Sequence, residues 1–113
     1  MVAADDKKHT SSKIMSMKPF RWNAQKNNWL MQERGVSFES MVVAIEGAGL
    51  LDILAHPNGQ RYPGQRILVV AHAGYVYLVP FVEEADHYFL KTVIPSRKAT
   101  RDYLQEGDDD GKN

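Results

Sequence analysis

The chain has 113 residues, of which 43% are hydrophobic and 25% are charged, and its formal net charge at neutral pH is zero. This composition predicts one globular domain with a modest core. The lack of cysteine excludes disulfide bonds, thiolate metal sites and a cysteine nucleophile, and it fits a reducing compartment. Because no apolar run approaches about 18 residues and the first residues do not resemble a signal peptide, the sequence predicts a cytoplasmic protein with no membrane partner.

Both ends of the chain are polar. Residues 1–17 mix charges without apolar periodicity, and residues 107–113 contain three aspartates and one lysine. We expect disordered tails at both ends, with a single domain over residues 18–106. Because the acidic tail carries two net negative charges, the remainder of the chain has a net charge of +2. A neutral total therefore does not exclude a nucleic-acid partner.

The first part of the predicted domain indicates a short strand and two helices. Residues 20–22 form the strand, and Asn23 follows as an N-cap whose side chain can accept from the free amides of a first helical turn. Gly35 ends this helix, because glycine readily adopts the left-handed conformation of a helix cap. Ser37 caps a second helix, in which Phe38 and the apolar residues three, four and seven positions later share one face.

The rest of the domain changes to the alternating pattern of strands. A strand stopped by Pro57 precedes a polar loop, and a hairpin is predicted around Ala73 and Gly74. One further strand is predicted over residues 87–95, which read HYFLKTVIP, and Ser96 caps a short last helix. This order predicts an α+β fold, in which two N-terminal helices pack on a three- to four-stranded antiparallel sheet and a short C-terminal helix follows.

Two motifs stand near the ends of the predicted domain. The first reads FRWNAQKNNWLMQERGVSFE and includes Trp22, Asn23, Lys26 and the run of residues 35–39. The second reads IPSRKATRDYL. In their order and spacing they resemble the opening and closing motifs of BrnT-family toxins, which belong to the RelE-like toxin group. The resemblance covers roughly residues 18–104.

The resemblance implies a bacterial type II toxin, a small ribonuclease held inactive by a cognate antitoxin protein. Operator DNA would be bound only through the antitoxin. RNA cleavage of this type needs no metal and no other cofactor, because the 2′-hydroxyl attacks the neighbouring phosphate. The enzyme must position that hydroxyl, stabilise the growing negative charge and move two protons. Arginine suits the charge-stabilising role, and histidine or lysine suits proton transfer.

The basic residues of the strands and the last helix are the candidates for this chemistry. Alternation along the last predicted strand places His87, Phe89, Lys91 and Val93 on one face. A lysine among apolar neighbours in mid-strand must reach water or a partner, which makes Lys91 the strongest candidate. Arg97 lies in the first turn of the last helix, where free backbone amides favour an anion. The predicted catalytic residues are Lys91, Arg97 and Arg66. The predicted substrate-binding residues are Arg61, Lys98, Arg101 and His87.

Each of these assignments has a structural alternative. Lys91 also fits an edge lysine that blocks aggregation, and residues 97–101 also fit a solvated helix face. The three histidines of the domain are scattered, without spacing for a zinc site, so no metal ligand is predicted. Many BrnT relatives have asparagine at the position of Leu30 and histidine at that of Arg34. These departures and the neutral net charge motivate a second hypothesis, a non-catalytic module of the same fold that binds a protein partner. RNA binding without cleavage is a third.

Overall fold

A computed structural model describes residues 18–104, so both predicted tails and the last two residues of the predicted domain lie outside the described residues. Three helices and six strands occur within that range. In chain order they are β1 (Phe20–Arg21), α1 (Ala24–Arg34), α2 (Phe38–Glu46), β2 (Leu50–Ala55), β3 (Gln65–His72), β4 (Tyr75–Glu83), β5 (Tyr88–Leu90), β6 (Ile94–Pro95) and α3 (Arg97–Leu104).

The strands form one mixed sheet in the order β1-β5-β4-β3-β2, and β6 pairs with β4 beyond the end of β5. All pairs are antiparallel except that of β1 with β5, which is parallel. The predicted α+β class and the order of helices and strands are confirmed. The sheet has more strands than predicted because the two-residue strands β1 and β6 add to it. Within residues 18–104, no helix combines the length and the hydropathy needed to cross a membrane.

The two faces of the sheet have different cover. We call the face under α1 and α2 the inner face and the opposite face the outer face. The inner face holds the main core, whose fully buried members are Leu30, Phe38, Met41, Leu68, Val70, Val79, Phe81, Tyr88, Leu90 and Val93. On the outer face, Ala99 of α3 packs on Val69 and Val76. The helix therefore covers only part of the outer face, and Ile67, Val82 and Phe89 remain half-buried there.

The helix boundaries follow from local capping, as predicted. The Asn23 side chain accepts from the Lys26 amide at 2.8 Å. Gly35 has a φ of 69°, the left-handed conformation that lets the chain turn between α1 and α2. The Ser37 hydroxyl accepts from the Ser40 amide at 3.0 Å and so caps α2. These local contacts fix where α1 ends and α2 begins.

A buried asparagine joins the first two helices. Asn27 is 5% exposed, and its Oδ1 accepts from the Phe38 amide at 2.7 Å. Its Nδ2 donates to Glu39 at 2.7 Å, and this hydrogen bond holds the pKa of Glu39 below its usual value. Because the first amides of a helix have no partner within it, Asn27 satisfies a donor that burial would otherwise leave unpaired.

The predicted hairpin is confirmed. Ala73 and Gly74 both have positive φ values, 54° and 79°. This pair of conformations gives the tight turn whose twist matches that of the flanking strands. His72 and Tyr75 face each other across it and close the ladder of β3 with β4.

The single last strand that the sequence predicts is interrupted by a β-bulge. The register runs from Phe81 opposite Leu90 to Leu78 opposite Ile94, so three residues of one strand, 91–93, stand opposite two of β4. The cause is Pro80, because it accepts from the Lys91 amide at 2.8 Å but has no N–H with which to donate back. A bulge shifts the alternation by one residue.

The bulge corrects one sequence prediction. Val93 is fully buried in the inner core, whereas Lys91 is exposed. The two side chains therefore do not share a face, although simple alternation predicts that they do. His87, Phe89 and Lys91, the first residue of the bulge, stay on the same side of the sheet.

Candidate functional site

Three basic side chains surround Phe89 on the outer face. Phe89 lies between Tyr88 and Leu90, whose side chains are buried in the inner core, so its own ring points outward. The Lys91 ammonium lies 5.7 Å from the centre of this ring, and the His87 ring centre lies 6.3 Å from it. Arg21 of β1 stands opposite Phe89 in the register of the parallel pair. We call this set, with Asp86, the Phe89 cluster.

Asp86 fixes the orientation of His87. The two side chains are joined by a hydrogen bond of 2.7 Å between His87 Nδ1 and Asp86 Oδ1. Because a carboxylate can only accept, Nδ1 donates and the other ring nitrogen, Nε2, is left for a ligand or solvent. The bond to His87, helped by the positive charge of Arg21, holds the pKa of Asp86 below its usual value. The His87 side chain is 19% exposed, so it is sheltered without being sealed from solvent.

Lys91 is a cation of the cluster that is available to bind an anion. Its side chain is exposed, and its ammonium has no carboxylate partner among residues 18–104. Its backbone is nevertheless fixed, because the Lys91 amide donates to the Pro80 carbonyl oxygen. A fixed backbone with a free charge suits the recognition of a ligand from outside the chain.

Arg66 does not join this cluster. Its guanidinium lies 5.1 Å from the ring centre of Phe81, which is part of the inner core. It also forms an ion pair with Glu83 at 2.8 Å, and Lys18 binds the other oxygen of the same carboxylate at 2.6 Å. The hydrogen bond from Lys18 is the main reason that the pKa of Glu83 lies below its usual value. Arg66 therefore lies on the inner side of the sheet with its charge matched, on the face opposite to Lys91.

Arg97 and Lys91 are attached to β4 at different levels. The Lys91 amide bonds to Pro80, and the Ser96 amide bonds to Val76, four residues away along the strand. At the rise of a β-strand this places the two backbone attachments about 13 Å apart. Arg97 follows directly as the first residue of α3, and it is exposed and without an ion pair among the described residues. Arg97 is therefore not a member of the Phe89 cluster.

The other predicted substrate-binding residues have local partners. Lys98 forms an ion pair with Asp102 at 2.7 Å, one helical turn away, and Arg101 approaches the same carboxylate at 3.9 Å. Arg61 lies in the loop between β2 and β3, 5.8 Å from the ring centre of Tyr62. Of these predicted contacts, only His87 belongs to the Phe89 cluster.

Three members of the cluster, Phe89, Arg21 and Asp86, were missed by the sequence prediction. The sequence next to Arg21 does indicate its face, because neighbouring residues of a strand point to opposite faces and Phe20 is apolar. That it lies beside Phe89 depends on the parallel pairing of β1 with β5, which no local pattern reveals. Asp86 lies in the turn between β4 and β5, and its contact with the next residue depends on the rotamer of His87.

No group of three or more histidine, aspartate or glutamate side chains within residues 18–104 is arranged to bind a metal ion. A shallow cavity of about 500 Å³ lies at the other end of the sheet, where Val43, Ala44 and Leu104 face the β3–β4 hairpin. None of the predicted site residues lines it.

Comparisons with protein-family models, curated proteins and solved structures give no match for this chain.

Proposed function

We propose that this protein is the toxin of a bacterial type II toxin–antitoxin system, a metal-independent endoribonuclease that binds RNA at the Phe89 cluster and is neutralised by a cognate antitoxin. One observation carries the proposal. An imidazole oriented by a carboxylate, a lysine without an ion pair among residues 18–104 and an arginine on the neighbouring strand lie around a half-buried aromatic ring on the outer face. The resemblance of both end motifs to BrnT-family toxins supports the same assignment.

The cluster contains the groups that transesterification of RNA requires. His87 Nε2 is placed to take the proton of the 2′-hydroxyl, while Asp86 keeps the ring oriented and stabilises the imidazolium that forms. The 2′ oxygen then bonds to phosphorus as the bond to the 5′ oxygen breaks, which gives a 2′,3′-cyclic phosphate and a 5′-hydroxyl end. Lys91 stabilises the negative charge of the phosphorane and supplies the proton that the leaving 5′ oxygen takes.

The neighbouring residues supply binding rather than proton transfer. A base can stack on the half-buried ring of Phe89, because every base has an apolar face. Arg21 can bind a phosphate through its planar guanidinium, and Arg97 can bind another phosphate farther along the RNA. Arg66 has no part in this scheme, because its charge is matched by Glu83 on the inner side.

The outer face also offers a surface for the antitoxin. Beside the Phe89 cluster lie Leu54, which is 38% exposed, and the half-buried residues Ile67, Pro80 and Val82. An antitoxin that buries this apolar strip also covers Phe89 and its cations, so binding and neutralisation would be one event. Operator DNA would then be contacted through the antitoxin alone.

The test is cleavage of labelled single-stranded RNA by the purified full chain in EDTA, with and without ribosomes. We expect products ending in a cyclic phosphate, and a loss of about 100-fold or more in rate for His87→Ala and Lys91→Ala. His72→Ala is the matched control, because His72 lies at the hairpin beside Tyr77 and away from Phe89. Intact RNA under all conditions, or an equal loss for the two histidine variants, would contradict the proposal.

The second candidate function is a non-catalytic module that binds a protein partner. The apolar strip beside the Phe89 cluster favours it, because such a strip fits a protein surface as well as it fits bases. Co-expression with a reading frame adjacent to the gene distinguishes the two. A tight complex formed by a chain that never cleaves RNA and never arrests growth would establish the second function.

A further inference from the structure

Arg34 links the end of α1 to the bulge that carries Lys91. Its Nη1 donates to the Val93 carbonyl oxygen at 2.6 Å, across a sequence separation of 59 residues. Val93 is the last residue of the bulge, and Lys91 is the first. The guanidinium of Arg34 is fixed in turn by Trp29, whose ring centre lies 4.9 Å away.

The bulge has few other attachments. Its first residue is bound through the Lys91 amide to Pro80, and the Val93 side chain is buried in the inner core. The Thr92 hydroxyl is buried without a hydrogen-bond partner among the described residues, so this side chain adds no polar anchor. Because the carbonyl oxygen of Val93 lies outside the sheet ladder, the hydrogen bond from Arg34 replaces the ladder contact that the bulge removes.

We infer that Arg34 is a positioning residue that acts through the bulge to hold the Lys91 ammonium over Phe89. A charged donor forms a stronger hydrogen bond to a carbonyl oxygen than a neutral one does, and the contact with Trp29 reduces the entropy lost on forming it. The consequence of this role for RNA binding and cleavage rests on the proposed function. The anchoring of the bulge by Arg34 does not depend on that function.

Hydrogen exchange tests whether Arg34 anchors the bulge. In Arg34→Ala, the Lys91 amide is expected to exchange about tenfold faster, because the bulge opens more often once one of its anchors is lost. Amides in the centre of β3 should be unaffected. Gln32→Ala is the matched control, since Gln32 is an exposed residue of the same helix whose side chain forms no hydrogen bond with residues 18–104. Unchanged exchange at Lys91 in Arg34→Ala would overturn the inference.

A double-mutant cycle on RNA affinity tests the link to Lys91. Arg34→Ala alone should weaken binding of a non-cleavable single-stranded RNA by about tenfold, but it should add little in a Lys91→Ala background. Fully additive losses would mean that Arg34 acts independently of Lys91 and would also overturn the inference. If the unaltered chain binds no RNA, the proposed function fails, and the exchange of the Lys91 amide still decides whether Arg34 anchors the bulge.

Discussion

Lys91→Ala should weaken RNA binding, and Arg66→Ala should leave it nearly unchanged. Both residues are basic and both were expected to serve one phosphate. The structure separates them, because Lys91 lies over Phe89 on the outer face and Arg66 lies over Phe81 on the inner side. The pair therefore tests the position of the site while the change in formal charge is the same in both variants.

The expected magnitudes follow from the partners of each cation. Because Lys91 forms no ion pair with a carboxylate of residues 18–104, its removal should lose one charged contact with RNA, worth about 1.5–3 kcal/mol or roughly 10- to 150-fold in affinity. One phosphate contact fewer should also reduce the slope of log affinity against log salt by about 0.7 for a single strand. Arg66 is held in an exposed ion pair with Glu83, a contact that contributes about 0–1 kcal/mol to stability.

The assay is fluorescence anisotropy with a labelled single-stranded RNA that carries 2′-O-methyl groups, so that it binds without being cleaved. Titrations from 50 to 200 mM salt, roughly the range over which phosphate contacts change affinity most clearly, give both the affinity and the slope. Thermal unfolding of each variant checks that the fold is retained. An equal loss of affinity and slope for the two variants, or an unchanged slope for Lys91→Ala, would refute the assignment of the site to the outer face.

Three further predictions concern the scaffold. Asn27→Ala should lower the free energy of unfolding by about 1–3 kcal/mol, because the Phe38 amide loses its hydrogen-bond partner. Asn28→Ala is the control and should change the free energy little, because Asn28 is exposed. Equal urea midpoints for the two variants would contradict this. Gly49→Ala should cost about 1–3 kcal/mol in urea unfolding, because an added Cβ would lie 2.6 Å from the Ala71 carbonyl oxygen; an unchanged midpoint would show that this contact relaxes freely. The pKa of Glu83 is lowered in the folded chain, so its contribution to stability is present above the unfolded pKa and disappears as pH falls through the folded pKa. Glu83→Gln should therefore flatten the dependence of unfolding free energy on acid pH, and parallel curves would contradict this.

The sequence predicts local structure better than it predicts the site. Asn23, Gly35 and Ser37 specify helix ends through contacts within a few residues of the chain. The same is true of Ala73 and Gly74 in the hairpin turn. Such contacts depend on backbone geometry that a short segment determines by itself, so their prediction from sequence succeeds.

The composition of the site depends on strand pairing, which short segments do not determine. Pro80 interrupts the last strand only because it stands opposite Lys91, and neither residue alone indicates the bulge. The bulge then decides which side chains share a face with Phe89. Arg21 reaches the same face through a parallel pairing between the first strand and the fifth. A cluster assembled from two paired strands and the bulge beside them therefore needs the register of each strand.

The N-terminal motif contributes to the fold rather than to the proposed chemistry. In the N-terminal motif, Trp22 stacks on Phe38 at 5.6 Å, Asn23 caps α1, and Gly35 allows the turn into α2. These contacts stabilise the folded structure, and a chain would need them whether or not it cleaves RNA. The groups suited to chemistry are His87 and Lys91, which flank β5 on either side of Phe89 and lie outside the N-terminal motif. The N-terminal motif therefore explains part of the fold, and the proposal of catalysis depends on what His87 and Lys91 do to RNA.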